Sequence, residues 1–312
     1  MKASIVIPAY NCGAYIKDTL ISLLEQDYLD KEIIVVDDGS TDKTADIVAE
    51  LMLEYPIIRY EKIENSGGPA KPRNIGLKMA EGDIVFLFDS DDIALPGKLS
   101  RAMNVFELEP SVGMLTTNFS IVDSTAKKIT RERVIDDYYT LQGVLGRKIT
   151  EGAYYIDSQN AFAALIKTNF VGTPGVGIRK SVLSKTGGFD ETLRHIDDRE
   201  MWLRVAYATD VAYIEMPSFL YRNHPQSISK KRSTLQIEER IMVAKKLDKL
   251  PKSKQAIKNL SEFKSENYCR LGMDLLKDKR LRSFRCFLLS YTFKPNMRAV
   301  KGLVKSVLGL RS

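Results

Sequence analysis

Short apolar runs alternate with helix-period segments through the amino-terminal third of the chain, and that alternation confines it to few folds. Ser4 to Ile7, Glu32 to Val36, Ile57 to Tyr60 and Asp83 to Phe88 read as strands. Between them Ala14 to Leu24, Thr44 to Leu53 and Arg73 to Met79 carry apolar residues at helical spacing, each after polar or glycine-containing turn chemistry. Strands that are apolar almost throughout, joined by helices, make a parallel sheet covered on both faces, hence an α/β doubly wound start. Met114 to Asn118 reads as a further strand, Arg131 to Gly152 as loops and edge strands, and Gln159 to Ile166 as a short helix. Glycines between Gly172 and Gly177 allow sharp bends or close backbone approach, and Met201, Trp202, Val205 and Ala206 give a helix an apolar face.

Charge divides the chain further. Residues 230–312 hold 22 Lys and Arg against 7 Asp and Glu, a net +15, whereas residues 1–229 hold 25 against 33, a net −8. Beyond Ser229 the sequence consists of helix formers and lysines punctuated by Pro251 and Pro295, which predicts three or four amphipathic basic helices. A hydrophobic content of 44% with 28% charged residues excludes a disordered or collagen-like chain. Three cysteines, Cys12, Cys269 and Cys286, have no CxxC spacing and offer neither a disulfide framework nor a zinc cage, which fits a reducing compartment. The amino terminus is broken too early, at Pro8, to be a secretory segment, and no apolar run reaches the ~18 residues of a transmembrane helix. The expectation is a cytoplasmic protein that lies on a membrane, at its inner face, if it works at one.

Acidic residues gather where such sheets bind ligands. Strand two runs into Asp37-Asp38-Gly39-Ser40, at the carboxyl end where open α/β sheets take ligands. The same residues suit any strand-to-helix turn, with Ser40 or Thr41 as a cap. Strand four ends in Asp89-Ser90-Asp91-Asp92, three carboxylates emerging from an apolar strand. Such a cluster repels itself unless a cation is present, and carboxylates with phosphate oxygens and waters suit Mg²⁺ or Mn²⁺; a solvated acidic loop is the alternative. Between these, the loop Gly67 to Gly76 brings Lys71, Arg73 and Asn74 to a helix start, a setting for an anionic ligand. It is neither GxxxxGK[ST] nor GxGxxG, against a P-loop NTPase and a dinucleotide-binding dehydrogenase. Asp197 and Asp198 begin an amphipathic helix whose dipole favours an ionised carboxylate, as a general base requires; they could equally be capping residues. His224, in Tyr221-Arg222-Asn223-His224, is either a ligand or an ordinary surface or core histidine.

In this order the segments resemble the family 2 glycosyltransferases of the GT-A fold. The matching pieces are Ser4 to Asn11, Glu32 to Asp42 with Thr44, Arg73-Asn74-x-Gly76, Asp89-Ser90-Asp91-Asp92, Gly187-Gly188-Phe189-Asp190-Glu191, Asp197-Asp198 with Trp202-Leu203-Arg204, and Tyr221-Arg222-x-His224. Each is weak alone, and seven in register are specific. The resemblance implies a GT-A (Rossmann-like) mixed, mainly parallel sheet with helices on both faces over residues 1–229. About 1–110 would be the nucleotide-binding half, 111–229 the half with the acceptor and base, and 230–312 a basic helical extension.

The same resemblance implies that Pro8, Tyr10, Asn11, Asp37 and Asp38 line a nucleotide pocket, joined by Lys71, Arg73, Asn74 and Asp89. Asp91, Asp89 and His224 would hold Mn²⁺ or Mg²⁺, and Asp198 would be the catalytic base of an inverting transfer from a nucleotide-diphospho-sugar, a UDP-sugar above all. The acceptor would be a glycan or a lipid-linked hydroxyl in polysaccharide, glycolipid or cell-envelope synthesis. Two positions depart from the family: Pro72 stands where Ala is common, and Asp197 where Glu is common, one methylene shorter. A sugar-phosphate nucleotidyltransferase is the alternative within the fold, although Pro8 to Asn11 replaces the glycine-rich loop such enzymes carry; a non-catalytic sugar-nucleotide-binding adaptor is the other. In the tail, Ser283 to Leu288 and Val300 to Leu308 mix apolar residues with Arg282, Arg285, Lys294, Arg298, Lys301 and Lys305. Contact with an anionic membrane is expected there, against helices packed on the catalytic part or in a homo-oligomer; nucleic acid is not expected.

Overall fold

A computed structural model describes residues 1–225, 233–250 and 252–308. The expected boundary at 229/230 and part of the Tyr221 to Ser227 segment lie outside the described residues. The chain forms two compact units, Met1–Ala161 with Phe170–Ser227, and Phe162–Asn169 with Ile228–Ser312.

The first unit begins with β1 (Ala3–Ala9), α1 (Ile16–Leu24), β2 (Lys31–Asp37), α2 (Thr44–Glu54), β3 (Ile58–Lys62), α3 (Ala70–Met79) and β4 (Ile84–Leu87). These strands pair in parallel in the order β3-β2-β1-β4. β2 and β4 are buried along their whole length, which explains their unbroken apolar runs. Because the chain leaves β1 to one side for β2 and β3 and returns on the other for β4, a crevice opens at the carboxyl ends of β1, β2 and β4. Gly76 shapes it: a Cβ there would stand 2.2 Å from Val6 Cγ1, so only glycine lets α3 lie this close to β1. Pro72 falls in the first turn of α3, where its missing N–H has no helical partner to lose, and the first helical bond runs from Arg73 N to the Pro69 carbonyl.

The rest of the unit adds β5 (Ile93–Ala94), α4 (Lys98–Leu108), β6 (Val112–Val122), β7 (Ile129–Arg131), α5 (Tyr139–Gln142), β8 (Lys148–Thr150), β9 (Ala153–Ile156), α6 (Ser158–Lys167), β10 (Gly177–Arg179), α7 (Lys180–Thr186), α8 (Asp197–Ala208) and β11 (Asp210–Arg222). β10 runs antiparallel between β4 and β6, and β6 then pairs in parallel with the long β11. The glycine that opens β10 serves close approach, since a Cβ at Gly177 would stand 2.7 Å from the Phe86 ring. Residues 131–152, expected as loops and edge strands, hold the end of β7, the edge strand β8 and the short helix α5. α6 straddles the division, its first residues belonging to this unit and Phe162 onward to the other.

The second unit, among the described residues, consists of the end of α6 with α9 (Thr234–Asp248), α10 (Lys254–Leu275), α11 (Arg280–Phe293) and α12 (Met297–Leu308). Ser233 and Ser253 cap α9 and α10 by accepting from Gln236 N and Ala256 N, both at 3.2 Å. Ile241, Tyr268, Leu271, Leu275 and Cys286 form its core. Ser265 and Ser290 exchange hydroxyl-to-carbonyl bonds at 2.8 Å, joining α10 to α11.

Candidate active site

The loops after β1 and β2 are bonded to each other. Asn11, at φ 47°, donates its N–H to Ser40 Oγ and accepts from Thr41 N, both at 2.9 Å. Pro8 is half-buried on β1, and Tyr10 is 54% exposed, its ring open to a ligand. Asp37 is fully buried, and both its oxygens accept bonds, from Ser40 N at 2.7 Å and Tyr60 Oη at 2.6 Å. Its carboxylate therefore shapes the turn. Asp38 accepts from Ser66 N at 2.8 Å and thereby fixes the β3–α3 loop.

Arg73 bridges two acids, while its Nε has no hydrogen-bond partner. It is buried, and its Nη2 donates to Asp89 Oδ1 at 2.9 Å while Nη1 donates to Asp197 Oδ2 at 3.0 Å. The guanidinium lies 5.3 Å from the Phe189 ring centroid. Both terminal nitrogens are thus engaged by carboxylates, and Arg73 joins the acidic loop after β4 to the start of α8. Asn74 ties two segments together. Its amide accepts from Phe189 N at 2.7 Å and donates to the Phe189 carbonyl at 3.0 Å and Glu191 Oε1 at 2.7 Å, clipping residues 188–191 against α3. Lys71 is exposed on the first turn of α3.

At the end of β4 the three acids differ. Asp92 is fully buried; its Oδ1 accepts from Arg222 N at 2.8 Å and its Oδ2 has no hydrogen-bond partner. Burial, then the charges of Asp91 and Asp89, push its carboxyl well above the usual range. Asp89 is pushed up by burial and by Asp91, with Arg73 opposing. Asp91, partly exposed, accepts at Oδ2 from or donates to His224 Nε2 at 2.7 Å. Arg222, which sequence reasoning gave no role, holds this arrangement. Its Nε donates to the Asp91 carbonyl at 2.9 Å, its Nη1 to the Ser124 carbonyl at 3.1 Å and its Nη2 to Asp18 Oδ2 at 3.0 Å. Tyr15 supports it, with its ring 4.7 Å from that of His224 and 5.1 Å from the Arg222 guanidinium carbon.

Asp198, in the first turn of α8, accepts from Arg199 N at 2.6 Å. Burial, and then the Asp197 charge beside it, raise its carboxyl to about 6 against the pull of Arg73. The helix start alone would have lowered it, so desolvation and the neighbouring acid prevail. The structure thus brings Asp89, Asp91, His224, Asp197 and Asp198 around Arg73 and Arg222.

The acids fit a divalent cation on chemical grounds: a carboxylate and an imidazole nitrogen already converge at 2.7 Å, beside an orphaned buried carboxylate oxygen. Among the described residues no three such donors stand close enough to enclose an ion by themselves. Phosphate oxygens and waters would have to complete the shell, as suits Mg²⁺ or Mn²⁺.

A mainly parallel sheet switching direction at β1, with helices on both faces, is the GT-A architecture of glycosyltransferases. Residues 4–187 match the sequence profile described as Glycosyl transferase family 2, and the chain belongs to that family. An uncharacterized glycosyltransferase of Haemophilus influenzae is 35% identical over 143 residues, 45% of this chain and 57% of that protein. The poly(ribitol-phosphate) beta-N-acetylglucosaminyltransferase TarS of Staphylococcus aureus is 46% identical over 94 residues, 30% of this chain and 16% of TarS. The chain thus spans little more than half of the first relative and a small part of the second. The crystal structure of S. aureus TarS 1–349 in complex with UDP-GlcNAc superposes with a TM-score of 0.70 at 22% identity, over 99% of this chain and 92% of that one, and shares its fold.

Proposed function

We propose that the protein transfers a sugar, with inversion, from a UDP-sugar to an acceptor hydroxyl of a glycan or lipid-linked polymer in cell-envelope synthesis. The observation that carries this reading is the joining of Asp89 and Asp197 by one buried guanidinium, which sets the donor-side acids beside Asp198. The TarS segment of like sequence and the UDP-GlcNAc complex of the similarly folded TarS favour a uridine diphosphate donor.

Tyr10 and Asp38 bound the base and ribose end of the crevice, while Asn11 and Asp37 keep its two loops in register. Asp91 and His224, with Asp89 alongside, would hold Mn²⁺ or Mg²⁺, which when bound would supply positive charge for the leaving diphosphate. Asp198 accepts the proton of the acceptor hydroxyl as that oxygen attacks the anomeric carbon opposite the departing nucleotide. With its carboxyl at about 6, Asp198 is ionised near neutral pH and still basic enough to take that proton. Arg73 and Asp197 act through Asp198 and Asp89 as positioning residues. Calorimetric titration with UDP, with and without Mn²⁺, tests the reading. Binding that Mn²⁺ strengthens, with release of sugar from one of several UDP-sugars, supports it; UDP binding indifferent to Mn²⁺ overturns the metal site, and no binding overturns the donor.

A further inference from the structure

The last described helix is packed the wrong way round for an ordinary core helix. α12 turns its small residues inward: Ala299, Gly302 and Ser306 are buried, and Leu303 is partly covered. Gly302 is required there, since a Cβ would stand 2.3 Å from the ring of Phe287, itself pressed between Gly302 and Gly272. The larger aliphatic residues face out. Met297 is 68% exposed, Val304 49%, Val307 68% and Leu308 65%. At ~100° per residue, Met297, Val300, Val304, Val307 and Leu308 form one stripe beside the buried face, and Arg298, Lys301 and Lys305 form the next. On α11, which packs against α12, Leu281 is 69% and Leu288 46% exposed.

Charge identifies what would cover such a stripe. Residues 279–312 contain nine Lys and Arg and no Asp or Glu. A second copy of the same face would bring like charges together. Nucleic acid would leave the valines and leucines against a polar surface. An anionic bilayer leaflet satisfies both stripes, lipid tails taking the aliphatics and headgroups the cations. The twelve described residues of α12 make a helix of about 18 Å, against a hydrocarbon core of ~30 Å, a length that suits lying in the interface.

We propose that α12 is an in-plane membrane anchor, inserting Met297, Val300, Val304, Val307 and Leu308 into an anionic leaflet with Arg298, Lys301 and Lys305 at the headgroups. The proposal is independent of the reaction assigned above.

Flotation of the full chain with phosphatidylcholine vesicles, with and without phosphatidylglycerol, tests it. The parent chain should float with the phosphatidylglycerol vesicles and not with phosphatidylcholine alone. The double change Val304→Glu with Val307→Glu should abolish flotation, and Lys301→Gln with Lys305→Gln should weaken partitioning by roughly thirty-fold, about five-fold per lysine. Both pairs are away from the buried face of α12, so an unchanged melting temperature and circular dichroism spectrum, read on the same samples, identify folded variants. No flotation with phosphatidylglycerol overturns the proposal, as does flotation that survives the glutamate pair but not the glutamine pair, which would mean charge attraction without insertion. A dimer seen by light scattering, dissolved by the glutamate pair and indifferent to vesicles, would also overturn it and assign the face to a second copy.

Discussion

Arg73 Nη1 donates to Asp197 Oδ2 at 3.0 Å, across 124 positions of sequence, and so fastens the helix that carries Asp198 to the helix that follows β3. Asp197 has two effects from this position. It balances a buried cation, and its charge is the second cause, after burial, of the raised Asp198 carboxyl. The change Asp197→Asn is expected to move the acid limb of the pH–rate profile to lower pH, because Asp198 loses its anionic neighbour while Arg73 remains. Melting temperature should fall as well, since a buried pair loses one partner. A lower melting temperature with an unmoved limb would confine Asp197 to a structural role.

The proposed base makes its own pH dependence. A carboxylate must be ionised to accept a proton, so transfer should be level near neutrality and decline as pH falls through about 6, the Asp198 value. An aspartate at its ordinary value of 3.8 would hold activity two pH units further down. Asp198→Asn should lower kcat by ~10²–10⁴ while UDP affinity stays within a few-fold. Parallel loss of both in calorimetry and turnover would reassign the residue to the fold.

At the other end of the site, Asp91→Ala and His224→Ala should each remove the enhancement of UDP binding by Mn²⁺, because they take away one of the two donors that meet at 2.7 Å. Binding of UDP without metal should change far less. Calorimetry at matched Mn²⁺ concentrations checks this, and retained enhancement in both variants would place the cation elsewhere.

Asn74 is expected to behave as a clip. Asn74→Ala leaves the Phe189 N–H and carbonyl without their partners at 2.7 and 3.0 Å, and should cost about 1–3 kcal/mol of stability. UDP affinity, measured at a temperature where the variant is folded, should be little altered. A large loss of affinity with an unchanged melting temperature would restore Asn74 to the nucleotide.

Much of this could be read from local sequence. The unbroken apolar runs of β2 and β4 and the helical spacing of α1 and α2 mark a covered parallel sheet without any tertiary information. The Asp89 to Asp92 cluster marks its own site, because that many acids after a buried strand need an explanation wherever the strand lies. The long β11, with Pro217 inside it, and the short β10 gave no such signal, since their pairing depends on strands far away in sequence. Arg73 and Asn74 were legible as residues of the site, but no local pattern could name the partners they bond, Asp89 and Asp197 for one and Phe189 and Glu191 for the other.

The α/β layering, the acidic loops at strand ends, the family and the basic helical tail follow from periodicity, turn chemistry and charge, which are properties of short stretches. Which partner each acid takes is settled by packing across the chain. Asp37 ends its strand and Asp38 follows it, both buried, yet one is bonded to Tyr60 and the other to the loop at Ser66. Packing also decided that Asp198 is raised to about 6 and that α12 turns its valines outward. Burial and the sign of nearby charges set both outcomes, and these belong to the packed chain.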